Sequence, residues 1–330
     1  MSETVLFVVA EIGAARFLLP LWRRWLATGR GNWRIVLSTV AARYLESQDL
    51  GAGLPVVATL DQGASTLGDA VAGHEPHRML VSAGFNHALE TAAVDWARDR
   101  NLPVGQFIDS WMNYALRFTR DGRLCLPDRI AVIDEMAANE AVEEGLPRAR
   151  LALVGQPAWE AARPLPPSPA GRALFLSGPV RAQYGDRLGY DEWSCWDLVL
   201  KARQLAPDLL PELWFGRHPV QTEITEAKVA PARLIAESMT ALAEVGVVLG
   251  VFSSPMIDAL IGGRRVISVQ PGAIGRDMCP LSRHGRIRRV ETAEELIVAL
   301  REPVRGSAEL GAALAGSLDR LERFMRSDWS

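Results

Sequence analysis

A chain of 330 residues, 48% hydrophobic and 23% charged, has the length for two globular domains of about 150 residues each. Its formal charge of −3 excludes the general electrostatic attraction that nucleic-acid binding needs. Cys125, Cys195 and Cys279 stand far apart with no CxxC or Cys/His ligand spacing, which argues against a zinc site and for a reducing compartment.

The N-terminus, MSETVLFVVAEIG, lacks the basic region of a signal peptide, and no stretch reaches the ~18 apolar residues of a membrane span. The expectation is a cytoplasmic protein. Its first apolar run, VLFVVAEIG, reads as a strand ahead of a helix from about Ala15 to Thr28. That helix and its exit hold Trp22, Trp25 and Trp33 among Arg23, Arg24, Arg30 and Arg34. Such a mixture admits a peripheral contact with the inner membrane through Trp22, Arg23, Arg24 and Trp25. Buried Trp with solvated Arg is the simpler reading.

Further strands follow at WRIVLSTV, LPVVATL, RMLVSAG, LPVGQFID, DRIAVID and ARLALVGQP, alternating with helical segments such as ALETAAVDWARDR and MAANEAVEEG. Five prolines between Pro157 and Pro169 form a stiff connector. After it the alternation restarts: RALFLSGP, a helix from about Tyr190, ELWFGRHP, a helix from about Pro231, VGVVLGVF, SSPMIDALIGG, RVISVQP, a short strand near Ile287 and TAEELIVALRE. The last segment, SAELGAALAGSLDRLERFMRSDW, is helical throughout. The pattern predicts an α/β chain of two doubly wound, Rossmann-like domains, 1–158 and 171–330, joined by a linker at 159–170, with the last helix packing back on the first domain. The two are expected to face each other across a cleft.

In such sheets ligands sit outside the carboxyl ends of the strands. The second half offers four candidate groups there: Ser177 and Gly178, His218 and Pro219, Ser253 and Ser254, and Gln270. Ser253-Ser254 opens a helix, where unpaired N–H groups and the helix dipole favour an anion; an ordinary N-cap is the simpler alternative. His218 can donate to a phosphate or protonate a leaving one. Asp258, one turn into the helix, suits ribose hydroxyls, or is a solvated helix residue. Arg217 alternates to the other side of its strand.

The first half offers carboxylates at strand ends. Asp109, in Asp109-Ser110-Trp111-Met112-Asn113-Tyr114, is the preferred base, with Glu11 and Asp61 behind it. Trp111, Asn113 and Tyr114 are expected to form an aromatic, polar wall for a sugar, or else to pack internally. Asn86, in the loop before His87, is a further acceptor-binding candidate.

The paired domains, the His-Pro after the second strand of the second domain, and the Ser-Ser heading a helix resemble the GT-B glycosyltransferases. They are similar more narrowly to bacterial sialyltransferases and related CMP-sugar (Kdo, nonulosonate) or CDP-glycerol transferases. The resemblance implies that His218, Ser253 and Ser254 hold the nucleotide phosphate, and that the first domain binds the acceptor and the second the donor. Asp61-Gln62-Gly63 matches the catalytic acidic-acidic-Gly motif of sialyltransferases in part, with Gln62 replacing one acid. Gly155-Gln156-Pro157 resembles the Gly-Asn-Pro that precedes the linker in such enzymes.

The function expected is metal-independent transfer of a sugar, sialic-acid-like or Kdo-like, from a CMP donor to a glycan or other hydroxyl acceptor, with the nucleotide sugar as co-substrate and no cofactor. No DxD-type pair sits at a strand end, hence no metal. The alternatives are a UDP-sugar transferase, a UDP-N-acetylglucosamine 2-epimerase-like enzyme, and a non-catalytic nucleotide-sugar-binding protein.

Overall fold

The computed structural model describes residues 3–48, 53–60, 67–84, 88–167, 171–304 and 307–329. It divides into two compact units: Met1–Ala161 with Ala313–Ser330, and Ala162–Ala312. Among the described residues no helix is long and apolar enough to cross a membrane.

Unit 1 contains β1 (Val5–Val9), β2 (Trp33–Leu37), β3 (Val56–Thr59), β4 (Arg78–Ser82), β5 (Val104–Phe107), β6 (Thr119–Arg120), β7 (Arg123–Leu124), β8 (Arg129–Val132) and β9 (Leu151–Leu153). Seven form a parallel sheet in the order β3-β2-β1-β4-β5-β8-β9. β6 and β7 make a separate antiparallel hairpin, which the sequence pattern does not announce. Its turn uses Asp121 and Gly122 at positive φ, the geometry two-residue hairpins require.

β1 is buried along its whole length because both faces of the sheet are covered. Val5, Phe7 and Val9 point into one core layer with Trp22, Trp25 and Trp33; Leu6 and Val8 point into the other with Leu89 and Val94. The Phe7 ring lies 5.7 Å from Trp22, 5.5 Å from Trp25 and 6.1 Å from Trp33.

This packing corrects the membrane-contact expectation. Trp22 and Trp25 lie on the buried side of the helix Ile12–Ala27 and have no face left for a lipid surface. Trp25 donates its indole N–H to Glu322 at 2.8 Å, and Arg24 pairs with Asp319 at 2.6 Å; only Arg23 of the four is exposed. The helix begins at Ile12 rather than near Ala15, because Ala10 and Glu11 alone make the turn from β1.

The C-terminal segment completes unit 1. Gly316, in the left-handed region at φ +75, breaks the expected single helix into Ser307–Leu314 and Ser317–Arg326. Leu321, Phe324, Met325 and Trp329 then enter the same core as Phe7. Trp159 and Glu160, assigned by sequence to the linker, sit instead in a short helix, Pro157–Glu160. Glu160 accepts from the N–H groups of Gly316 at 2.5 Å and Leu318 at 2.8 Å. Glu160→Ala strands both donors, so thermal denaturation is expected to show a loss of about 1–2 kcal/mol.

Unit 2 contains β10 (Arg172–Leu176), β11 (Glu212–Gly216), β12 (Arg233–Ile235), β13 (Val247–Gly250), β14 (Arg265–Val269) and β15 (Arg288–Val290), parallel throughout in the order β12-β11-β10-β13-β14-β15. β12 stands where the sequence pattern suggested helix. Phe175, Trp196 and Phe215 centre its core. The helix Glu192–Leu205 starts at a capping box made by Asp191 and Ser194.

Candidate functional site

Each sheet has one switch point, where neighbouring strands send their following chain to opposite sides. In unit 1 it lies between β1 and β4, and in unit 2 between β10 and β13.

At the unit 1 switch point, buried polar groups lock the loops together. Ser82, the last residue of β4, accepts from the Ala10 N–H at 3.1 Å and donates to the Glu90 carboxylate. Glu90 also accepts from the Gly84 N–H at 2.8 Å, and Gln106 donates to the Ser82 carbonyl at 3.0 Å.

Asp109, just past β5, sits beside this frame with its side chain 16% exposed. A Cβ at Gly13 would collide with Asp109 Oδ2, so the carboxylate lies directly on the first turn of the helix Ile12–Ala27. Its other oxygen, Oδ1, is 3.4 Å from Arg117 Nη1. Burial pushes the Asp109 carboxyl above the usual carboxylate range; Arg117 pulls it down, Glu11 pushes it up, and burial prevails. Glu11 itself occupies the N-cap position of that helix without capping it through its side chain. The structure thus brings Asp109 and Glu11 together. Asp61 and Asn86 lie outside the described residues.

The aromatic wall is corrected. Trp111 and Tyr114 are 1% and 0% exposed. Trp111 stacks on Trp159 with ring centroids 5.1 Å apart, and Tyr114 donates to Glu140 at 3.0 Å. Both are core residues that anchor the loop carrying Asp109, and neither offers a face to a sugar. Asn113 is half-buried and adopts φ +58, a conformation asparagine tolerates.

In unit 2 the loops after β10, β11 and β13 carry the candidates. Ser177 donates to Gln221 at 2.9 Å, and Gln221 donates onward to the Gly178 carbonyl at 3.2 Å and to Glu192 at 3.1 Å. The Ser177 hydroxyl is therefore spent on bracing its own loop, a correction to its place among the ligand contacts. Gln270 is corrected likewise. It is 0% exposed, accepts from Tyr190 at 3.2 Å, and donates to Ser268 at 2.8 Å and Asp277 at 2.6 Å.

His218 and Ser253 keep their chemistry available. His218 Nδ1 accepts from the Val220 N–H at 3.4 Å, which assigns the proton of the neutral ring to Nε2. Burial holds this histidine below its usual range. Arg217 anchors the loop from below by donating to the Thr222 and Ile224 carbonyls, each at 3.3 Å.

Ser253 is the N-cap residue of the helix Ser254–Ile261 and makes no side-chain cap. The reason is local. Pro255 has no N–H, and the Met256 N–H goes to the Ser253 carbonyl at 3.1 Å. The Ser253 hydroxyl is buried with no hydrogen-bond partner among the described residues. Ser254 is exposed beside it, and Asp258 is half-buried one turn further on.

A cavity of ≈ 310 Å³ lined by Arg265, Arg286, Arg288 and Glu302 lies at the amino ends of β14 and β15, away from the switch point. Arg265 there is committed to the carbonyls of Ala299 and Glu302.

No protein-family model matches the chain, and no curated protein matches it. Solved structures do. UDP-GlcNAc 2-epimerase from Neisseria meningitidis, bound to UDP-GlcNAc, superposes with a TM-score of 0.67 at 15% identity, over 98% of this chain and 100% of that one. Anabaena HepE, in complex with UDP and glucose, gives 0.64 at 11% identity over 99% and 100%. The glycotransferase of kitacinnamycin gives 0.58 at 13% identity over 98% and 96%. The chain has the GT-B fold. At these identities the likeness is one of fold.

Arg117 and Glu90 are the site residues that sequence reasoning missed. Arg117 lies eight positions beyond Asp109 and reaches it only because the chain turns back through Leu116–Phe118. Glu90 sits on the buried face of an otherwise ordinary amphipathic helix.

Proposed function

We propose that the chain is an enzyme acting on a nucleotide-activated sugar. Unit 2 binds the nucleotide phosphate through His218, Ser253 and Ser254, and Asp109 of unit 1 is the base. The observation that carries this reading is the buried Ser253 hydroxyl at a helix start, with no partner among the described residues, at the switch point of its sheet. A phosphate oxygen is its natural acceptor, and the Nε2–H of His218 is a second donor of the right kind.

The reaction favoured is transfer to a hydroxyl. Asp109 takes the acceptor proton, the acceptor oxygen bonds to the anomeric carbon, and the bond from that carbon to the phosphate oxygen breaks. His218 and the serines stabilise charge building on the departing phosphate. One deep carboxylate with Glu11 nearby supplies the single base that transfer needs. UDP is preferred over CMP as the nucleotide, because UDP or UDP-GlcNAc is bound in two of the three fold neighbours named above. Epimerisation at C2 of the sugar is the second reading, favoured by the Neisseria neighbour. The reading is metal-independent, since no DxD-type pair sits at a strand end, and abolition of turnover by EDTA counts against it.

The test is a thermal-shift panel of UDP, CDP, CMP and GDP on the wild type and on His218→Ala. UDP is expected to raise the melting temperature by mass action. His218→Ala is expected to weaken its binding about tenfold, the worth of one hydrogen bond to a charged group. A shift with CMP alone returns the reading to CMP-sugar transfer, and no shift with any nucleotide rejects the site. Incubation with UDP-GlcNAc and no acceptor separates the two reactions: a C2 epimer identifies an epimerase.

A further inference from the structure

We propose that Arg117 is a positioning residue for Asp109, fixing its carboxylate in one orientation between the guanidinium and the first turn of the helix Ile12–Ala27. The inference rests on Asp109 being the functional carboxylate of unit 1.

The guanidinium is 5% exposed and saturated with partners drawn from two loops. Nη1 donates to the Ala83 carbonyl, beyond β4, and lies 3.4 Å from Asp109 Oδ1. Nη2 donates to Ser110 Oγ at 2.7 Å, and Nε to the Met112 carbonyl at 3.4 Å. A planar fork held at three corners cannot rotate, so it presents one fixed N–H to Asp109. On the far side, Oδ2 rests on Gly13, where no side chain fits. One carboxylate oxygen faces the guanidinium and the other packs against the glycine.

The grip also has an electrical consequence. Among the described residues, the charged groups acting on Asp109 are Arg117, which favours the carboxylate, and Glu11, which opposes it as burial does. Removing Arg117 leaves only a backbone hydrogen bond to oppose burial and Glu11, so the Asp109 carboxyl is expected to rise further. A residue that only filled space would not move that titration.

The experiment is a pH titration of protein carrying ¹³C at the aspartate carboxyl carbons, with the Asp109 signal assigned by its loss in Asp109→Asn. Arg117→Met is expected to raise the Asp109 midpoint by about one pH unit, or about tenfold in its acid dissociation constant. Arg117→Lys, which keeps the charge and loses the fork, is expected to recover part of that shift. A folded Arg117→Met with an unmoved midpoint overturns the proposal. Should Arg117→Met fail to fold, Ser110→Ala removes one anchor of the fork and is expected to give a smaller upward shift; an unmoved midpoint there overturns it equally. Failure of the functional reading shows elsewhere, as turnover that survives Asp109→Asn.

Discussion

Asp109→Asn is expected to lower turnover of a nucleotide sugar by about 10²–10⁴-fold, the usual contribution of a positioned base. The shift in melting temperature that a nucleotide produces should stay as in the wild type, because the phosphate groups assigned to unit 2 are untouched. The substitution keeps the shape of the side chain and removes its ability to take a proton. The same variant also carries a stability signature whose sign follows from burial. In the folded chain the Asp109 carboxyl titrates above its unfolded value. Between the two values the folded state binds more protons than the unfolded one, so stability falls as pH rises through that window and the cost is complete above the raised value. Asparagine does not titrate. Asp109→Asn should therefore melt higher than the wild type at pH 8, by about 2 °C or more. The difference should vanish once pH drops below the ordinary carboxylate range. A wild type that melts higher than the variant at pH 8 would mean that attraction to Arg117 outweighs burial.

The fold was legible because its signals are local. Apolar runs ending in Gly, Pro or Ser and followed by amphipathic segments dictate parallel strands and covering helices, and the carboxyl ends follow from strand direction alone. Of the candidate site, the sequence shows only those geometric features that depend on immediate neighbours. Ser253 is one case: Pro255 two positions on removes the donor that an N-cap hydroxyl would take. Trp111 is the opposite case. Whether its ring faces a sugar or another ring depends on Trp159, 48 positions away, and periodicity carries no information about that pairing. Gln270 reads as a polar residue at a strand end until Tyr190 and Asp277 close around its amide. Trp22 and Trp25 share the problem, because a buried indole and a membrane-facing one are written alike. Their burial is decided by Phe7 and by a C-terminal helix almost 300 residues later.

Ser253→Ala is expected to move two observables in opposite directions. Three other helices are capped in the ordinary way, Ser38 accepting from the Ala41 N–H at 3.1 Å, Asp134 from Ala137 at 2.8 Å, and Thr292 from Glu295 at 3.2 Å, whereas the N-cap residues Glu11 and Thr225, like Ser253, make no side-chain cap. Alanine at such a position costs about 0.5–2 kcal/mol. Ser253 makes no such bond, and its hydroxyl is buried without a partner among the described residues. A buried polar group left unmade costs about 1–3 kcal/mol, and alanine relieves that cost. The ligand-free variant should therefore be as stable as the wild type or more so. Binding of the nucleotide should weaken between about 10- and 100-fold, since a hydrogen bond to a charged phosphate is worth about 1.5–3 kcal/mol. Denaturation without nucleotide and calorimetric titration with UDP measure the two sides. A destabilised variant with unchanged affinity would make Ser253 an N-cap after all and remove the phosphate site from this helix. A stabilised variant with weakened affinity would mean that the fold carries an unfavourable hydroxyl whose partner arrives with the ligand, as expected where binding, not stability, sets the choice of residue.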